Sequence, residues 1–153
     1  MESGASSEEQ LPEHDFDPAK LNLRVRVTLA ADRKSVDPVV AQVMETVRQL
    51  KNIEGKEDAI ELALQEALAN AVVHGAKEDP SKIVECLVAW DEQRGILIIV
   101  RDPGLGFDPQ AIPSCTVGEN LYSNHGRGIF LINQLMDEVK FHKNGTEIHM
   151  VKR

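Results

Sequence analysis

Hydrophobic and polar residues alternate near the beginning of the chain. In residues 21–29, Leu or Val occupies each odd position, and Asn, Arg or Thr occupies each even position between them. Successive side chains of a β-strand point to opposite faces, so this pattern puts the apolar side chains on one face. The sequence therefore predicts a half-buried strand here.

Four further segments are rich in aliphatic and β-branched residues and predict strands. Residues 83–90 and 96–100 form one pair, and the polar residues 91–95 between them predict a hairpin turn. Residues 138–142 and 146–151 form a second pair, separated by a Lys-Asn-Gly sequence that is typical of a tight turn.

Apolar residues at helical spacing predict three helices. The first begins at Asp37-Pro38, with Asp as the N-cap and Pro at the first helical position, and continues to residue 50. The second covers residues 59–76, and Gly75 is well placed to end it. The third covers residues 128–136. With the strands, they predict an α+β fold, a two-layer α/β sandwich with helices on one face of a mixed, largely antiparallel sheet.

The negative charge is concentrated in residues 1–19. The whole chain of 153 residues has a net charge of −8, with 25 acidic and 17 basic residues. Six acids and no Lys or Arg lie in residues 1–19, which leaves 19 acids against 17 bases, or −2, for residues 20–153. We expect residues 1–19 to be an acidic, mobile tail and residues 20–153 to be one domain. The absence of a basic stripe argues against direct nucleic-acid binding.

Composition also argues against a membrane or secreted protein. No apolar stretch reaches the ~20 residues that a membrane helix needs, and the N-terminus lacks a signal-peptide pattern. The two cysteines, Cys86 and Cys115, do not make a disulfide framework. We expect Cys86 to be a small buried hydrophobe, and the protein to lie in a reducing cytoplasm.

One polar pair stands within the apolar second helix. Glu66 and Asn70 are four residues apart and therefore project from one helical face. Such a pair is most often part of a solvated face or a satisfied buried pair. Its interest depends on the motifs that follow it along the chain.

The first of these motifs follows the strand at residues 96–100. It reads Asp102-Pro-Gly104-Leu-Gly106, and its glycines would let the backbone approach a ligand closely. An ionised carboxylate only accepts hydrogen bonds, which suits an exocyclic amino group. Taken alone, Asp-Pro-Gly is equally well explained as ordinary turn chemistry.

The second motif lies where the third helix is predicted to begin. Gly126, Arg127 and Gly128 precede the apolar helical positions, and a helix start of this kind is a natural phosphate cradle. Arg127 could add charge-assisted bonds to phosphate, or it could simply face solvent. The polar residues 108–125 before it form a long predicted loop.

The order of these motifs resembles the GHKL (Bergerat) ATPase superfamily over residues 20–153. Within it, Glu66-Ala-Leu-Ala-Asn70 followed by His74-Gly75, with Gly-Arg-Gly-Ile-Phe-Leu downstream, is most similar to the bacterial anti-sigma-factor serine/threonine kinases. The resemblance implies ATP and Mg²⁺ as cofactors. It makes Asn70 the Mg²⁺ ligand and Glu66 the catalytic group that orients or deprotonates an attacking hydroxyl.

The resemblance also assigns the remaining nucleotide-binding residues. Asp102 would read the adenine amino group, the hydroxyl of Thr146 would lie near the adenine, and residues 108–125 would form the ATP lid. The other residues implied to bind nucleotide are Gly104, Gly106, Gly126, Arg127 and Gly128. His74 continues the face of Glu66 and Asn70, and we expect it to act as a partner of the helix dipole.

The resemblance implies a regulator with two protein partners. The protein would phosphorylate an anti-sigma-factor antagonist on serine, sequester a sigma factor and form a homodimer. The chain has no P-loop, and no helical hairpin with a phospho-accepting His precedes residue 20, which argues against a complete sensor histidine kinase. Two alternatives stay open: a nucleotide-gated regulator-binding module without phosphotransfer, and an ATPase domain that serves a separate phospho-acceptor histidine protein.

Overall fold

A computed structural model of the chain describes residues 23–104 and 124–153. Its strands are β1 (Leu23–Ala30), β2 (Ile83–Asp91), β3 (Gly95–Arg101), β4 (Glu138–His142) and β5 (Glu147–Lys152). Its α-helices are α1 (Val36–Val47), α2 (Glu57–Asn70) and α3 (Asn124–Leu135). A short 3-10 helix, Arg33–Ser35, precedes α1, and a π-helical turn, Ala71–Gly75, follows α2.

The five described strands form one sheet in the order β1-β2-β3-β5-β4. Each neighbouring pair in this sheet is antiparallel. We call the face that packs on the helices the inner face and the opposite face the outer face. The predicted α+β architecture is confirmed.

The main hydrophobic core lies between the inner face and the three helices. Representative members, all at most 2% exposed, are Val88, Ile98 and Met150 from the sheet and Met44, Leu64 and Ile132 from the helices. Burial of each large aliphatic side chain contributes about 1.5–3 kcal/mol, which makes this layer the principal source of stability.

The edge strand β1 shows the alternation that the sequence predicts. Val25 and Val27 lie opposite Val88 and Cys86 on the inner face. The intervening residues Arg24, Arg26 and Thr28 are exposed. One register therefore satisfies the hydrophobic pattern of both strands.

Cys86 lies in the middle of the core. It is fully buried, and this burial raises the pKa of its thiol to about 12. The thiolate is the nucleophilic form, so the folded protein keeps this cysteine unreactive at neutral pH. The expectation of a small buried hydrophobe is confirmed.

The start of α1 differs from the prediction. The side chain of Asp32, not that of Asp37, caps this region by accepting a hydrogen bond from the Ser35 backbone N–H at 2.9 Å. The 3-10 turn inserted before the helix moves the cap upstream, and Asp37 lies in the first turn of α1. The helix also ends at Val47 and not at residue 50.

The start of α3 is also earlier than predicted. The helix begins at Asn124, so Gly126 and Gly128 lie within its first turns and do not precede it. Apolar periodicity begins only at Ile129, and the polar residues before it carry no such signal. This explains why the pattern places the start at residue 128.

Two further expectations concern the acidic N-terminal segment and the absence of a membrane-spanning helix. The acidic segment 1–19 and the boundary at residue 20 lie outside the described residues and stay predictions. Among the helices that the structure describes, none combines the length and the apolar character required to cross a membrane.

Candidate functional site

Glu66 and Asn70 lie one turn apart on α2, and both are partly exposed. Their neighbours Leu64, Ala67 and Leu68 are buried and anchor the opposite side of the helix in the core. The core therefore fixes the rotation of α2 and leaves the two polar side chains together on its accessible face.

The polar pair faces Gly128 of α3. A Cβ atom placed on Gly128 would lie 2.8 Å from Glu66 Oε1 and 3.1 Å from Asn70 Nδ2. Three residues from two motifs, separated in sequence by about sixty residues, are thus brought into contact. The glycine provides the room in which the carboxylate and the amide approach the first turns of α3, near the positive end of the helix dipole.

The helical path continues beyond Asn70 through the π-helical turn Ala71–Gly75. In this turn, the backbone N–H of Ala76 donates to the carbonyl oxygen of Ala71, five residues earlier, at 2.8 Å. Such turns contain one residue more than the α-helical repeat and occur frequently at functional sites. The helical segment ends at Gly75, as the sequence predicts.

The π-helical turn brings Gly75 against the carboxylate of Asp102. A Cβ atom on Gly75 would lie 2.2 Å from Asp102 Cγ, and one on Gly104 would lie 2.2 Å from the carbonyl oxygen of Gly75. The backbone N–H of Gly104 also donates to Asp102 Oδ1 at 2.7 Å. Both glycines are therefore required by close approach, and together they hold the Asp102 carboxylate at the end of β3.

The environment of Asp102 leaves the carboxylate available to a ligand. Burial raises the pKa of Asp102 above its ordinary value of 3.8, and the hydrogen bond from Gly104 offsets this only in part. Among the described residues, no donor reaches the second oxygen, Oδ2. A hydrogen bond from a bound ligand would therefore stabilise this partly buried carboxylate strongly.

Thr146 is adjacent to Asp102 through the backbone. The Asp102 N–H donates to the carbonyl oxygen of Thr146 at 2.9 Å. The Thr146 hydroxyl donates to the carbonyl oxygen of Lys143 at 2.8 Å, within the predicted Lys-Asn-Gly turn. A role for that hydroxyl near adenine stays a prediction.

His74 lies in the π-helical turn and is partly buried. Burial lowers the pKa of His74, and the positive charges of Lys77 and Arg33 lower it further. The imidazole is therefore neutral at neutral pH, which removes the charge that an interaction with the helix dipole requires.

The structure describes only some of the remaining residues that the sequence assigns to the site. Gly126 and Arg127 lie in α3, and Arg127 is exposed. Gly106 and residues 108–123 of the predicted lid lie outside the described residues. Sequence reasoning missed the role of Gly75 as the neighbour of Asp102, because the residue is already explained as a helix terminator. The His-Gly pair that follows Asn70 is the one signal that could have indicated it.

Comparison with known proteins agrees with this arrangement. Residues 29–152 match the model of the histidine kinase-like ATPase domain. The chain is 31% identical to an anti-sigma F factor of Bacillus cytotoxicus over 133 residues, which are 83% of this chain and 80% of the relative. It is 30% identical to an anti-sigma F factor of Bacillus cereus over the same shares of the two chains.

The match begins in the last two residues of β1 and continues to the end of β5, and it thus includes each described element that carries a site residue. A domain of this family implies nucleotide binding, and the relatives indicate an anti-sigma regulator. The chain therefore belongs to the histidine kinase-like ATPase domain family and is homologous to the anti-sigma F factors.

Proposed function

We propose that this protein is an anti-sigma regulatory factor with ATP-dependent serine/threonine protein kinase activity. It phosphorylates an anti-sigma-factor antagonist on serine and sequesters a sigma factor. The observation that carries the proposal is the convergence of Glu66 and Asn70 on Gly128. This arrangement joins a potential general base, a magnesium ligand and a helix N-terminal region in one place.

The residues at the site fit a magnesium nucleotide. The Asp102 carboxylate offers an acceptor for an adenine amino group, and its close contacts with Gly75 and Gly104 fix its position. Asn70 would hold Mg²⁺ through its amide oxygen, a hard ligand of the type that this ion prefers. When bound, the ion neutralises phosphate charge.

Glu66 is suited to act on the attacking hydroxyl. It lies one turn before Asn70 and shares the space in front of Gly128 with it. From there, its carboxylate orients a serine hydroxyl or accepts its proton. In the described part of the chain, Glu61 of α2 pairs with Arg48, whereas Glu66 makes no ion pair and stays available for this task.

The partners follow from the relatives and from the resemblance. The relatives are anti-sigma F factors by name, which supports a sigma factor as one partner. An antagonist protein as phospho-acceptor and a homodimeric state are proposed from the resemblance to anti-sigma kinases. A cytoplasmic location is proposed because transcription regulators of this kind act there.

Phosphate transfer from γ-labelled ATP tests the proposal. Wild-type protein, Glu66→Gln and the control Glu61→Gln are incubated with Mg²⁺, labelled ATP and extract of the source organism, and the labelled protein is identified by mass. We expect acid-stable phosphoserine on a small antagonist-like protein with wild type and with Glu61→Gln, and none with Glu66→Gln. Glu61→Gln controls for the removal of a carboxylate from the same helix.

The other outcomes assign the alternatives. No transfer by wild type, together with ATP-dependent retention of a sigma factor, would replace the kinase with a nucleotide-gated binding module. Acid-labile phosphohistidine on the acceptor would make the protein a partner of a phospho-acceptor histidine protein. Either result would contradict the serine kinase.

A further inference from the structure

The outer face of the sheet carries a row of polar side chains at the end where the candidate site lies. The register of the strands places Thr28, Glu85, Arg101, Glu147 and His142 side by side, one from each strand. Beyond this row, the outer face of the central strands carries His149 next to Glu147 on β5 and a second buried cluster of Leu87, Ala89, Leu97, Ile99 and Val151. The polar row therefore separates this apolar cluster from the site end of the sheet.

Glu147 is the centre of the charges in this row. Its carboxylate lies 2.7 Å from Arg101 Nε, 3.4 Å from Lys143 Nζ and 3.0 Å from His149 Nε2. Only 5% of the residue is exposed. A buried carboxylate is stable in such a place when several partners satisfy it, and loss of one partner is costly.

Glu147 is ionised at neutral pH. Burial acts to raise the pKa of Glu147, but the hydrogen bond with His149 and the charges of Arg101 and Lys143 outweigh burial. The pKa of Glu147 is consequently held below its ordinary value of 4.5. The contact with Arg101 is therefore an ion pair. Because Glu147 is buried, dissolved salt screens this ion pair only weakly.

This ion pair lies directly beside the backbone contact that places Asp102. Arg101 and Glu147 are opposite each other on β3 and β5, and the next pair along is Asp102 and Thr146. That next pair is joined by the Asp102 N–H alone, because the N–H of Thr146 donates to Lys143 in the turn. The last residue pair between the two strands thus has one of the two backbone hydrogen bonds that such a pair can form.

The geometry of antiparallel strands favours a strong side-chain contact at this point. Hydrogen-bonded and non-hydrogen-bonded pairs alternate along the ladder. Since Asp102 and Thr146 share the hydrogen bond, Arg101 and Glu147 occupy the position where opposite side chains stand closest. Their ion pair supplies cross-strand attraction next to the pair of Asp102 and Thr146, which is joined by one backbone hydrogen bond.

We propose that Glu147 is a positioning residue for the Asp102 carboxylate. Through Arg101, it holds the end of β3 against β5 and keeps Asp102 in contact with Gly75, Gly104 and Thr146. This inference rests on the proposed function for its nucleotide readout, because Asp102 is the group that reads adenine there. The inference concerns the outer face of the sheet, opposite the face that packs on the three helices.

Amide hydrogen exchange in the nucleotide-free protein tests the proposal without any ligand. In Glu147→Gln, we expect the Asp102 amide to exchange about tenfold faster than in wild type, while amides in the middle of β3 keep their protection. The matched control is Glu138→Gln, which removes a carboxylate paired with Arg153 at the other end of the same face. We expect the control to leave the exchange of Asp102 unchanged.

Nucleotide binding provides the second readout. We expect Glu147→Gln to weaken ATP binding about tenfold, to reduce the preference for ATP over GTP and to leave kcat at saturating ATP unchanged. A general loss of stability would not shift the ATP/GTP preference in this way. Arg101→Lys, which retains the charge but not the geometry of the guanidinium, should change both readouts in the same direction by less.

The outcomes separate the two proposals. If wild type binds no ATP, the proposed function fails, and the exchange rate of the Asp102 amide still decides the role of Glu147. If wild type binds ATP but Glu147→Gln matches wild type in amide exchange and ATP affinity, the positioning role is wrong. If Glu147→Gln does not fold, the comparison of Arg101→Lys with Glu138→Gln gives the same decision.

Discussion

A Cβ atom on Gly75 would lie 2.2 Å from Cγ of Asp102, so these two residues can be neighbours only because position 75 has no side chain. Gly75 lies at the end of the π-helical turn, and Asp102 lies directly after β3. The contact therefore joins the helical layer to the end of the sheet at the point where we propose that adenine is read.

Gly75→Ala tests this contact. We expect ATP affinity to fall by about tenfold or more, because the added methyl group must displace the carboxylate. The matched control is Gly55→Ala, whose Cβ meets no atom within 4 Å but whose φ of 84° is strained for alanine. We expect Gly55→Ala to lower the unfolding free energy by about 1–2 kcal/mol with normal ATP affinity. Equal ATP affinity of Gly75→Ala and wild type, measured by calorimetry, would contradict the role of the contact.

Gly128→Ala should separate folding from phosphate transfer. Its Cβ would lie 2.8 Å from Glu66 Oε1, an atom at the end of a flexible side chain, so the carboxylate can move and the fold tolerates the change. Alanine also favours a helix over glycine by about 0.5–1 kcal/mol. We expect thermal stability that is unchanged or higher, with transfer slowed by about a hundredfold. The exposed position Gln134→Ala in the same helix should leave transfer unchanged; transfer at the wild-type rate in Gly128→Ala would place the chemistry elsewhere.

Asp102→Asn should weaken ATP binding and stabilise the nucleotide-free protein. The loss of a charged hydrogen bond costs about 1.5–3 kcal/mol of binding. Because the folded pKa of Asp102 is raised, its contribution to stability is fully present below the ordinary pKa of 3.8 and is lost as pH rises through the raised value. At neutral pH, the variant should therefore melt at a higher temperature than wild type, and the difference should disappear at acid pH.

Asp79→Asn is a control in which the expected change in melting temperature has the opposite sign. Hydrogen bonds from Ser81 lower the pKa of Asp79, so this carboxylate stabilises the fold above its ordinary pKa, and that contribution is lost as pH falls. We expect Asp79→Asn to melt below wild type at neutral pH and to bind ATP normally. Melting curves of the three proteins at several pH values make the comparison. A lower melting temperature for Asp102→Asn at neutral pH would show that its carboxylate is satisfied in the free protein.

The position of the cap before α1 can be decided by mutation. Asp32→Ala should lower the unfolding free energy by about 1 kcal/mol, because the Ser35 N–H and hydroxyl both lose their acceptor. Asp37→Ala should cost only about 0.3–1 kcal/mol, since an acid in the first turn interacts with the helix dipole alone. Denaturant unfolding measures both, and a larger loss for Asp37→Ala would restore the cap that the sequence predicts.

The fold was largely predictable because its elements carry strong periodic patterns. The alternation in β1 and the paired apolar segments of β2 and β3 each match one register of the sheet. The helix boundaries were less predictable. The caps depend on local side-chain bonds, such as that of Asp32 with Ser35, which several polar residues near a helix start can make equally well.

The part of the candidate site that lies within one short motif was predictable from the sequence. Glu66 and Asn70 share a face by helical spacing alone, whereas their contact with Gly128 is visible only in the structure. The Arg101–Glu147 pair was not predictable, since the two residues are 46 positions apart and meet only through the register of β3 and β5. Cross-strand register is a tertiary property that a single sequence states only weakly.

The turn at Ala71–Gly75 makes the site depend on the type of helix as well as on residue type. Each residue of an α-helix advances the direction of its side chain by about 100°. A π-helical turn contains about one residue more than an α-helical turn, so Gly75 would be turned away from β3 by about that angle if the same five residues continued the α-helix. A relative of the same length in which α-helix replaces this turn would retain every residue type of the motif and still have lost its contact with the carboxylate after β3.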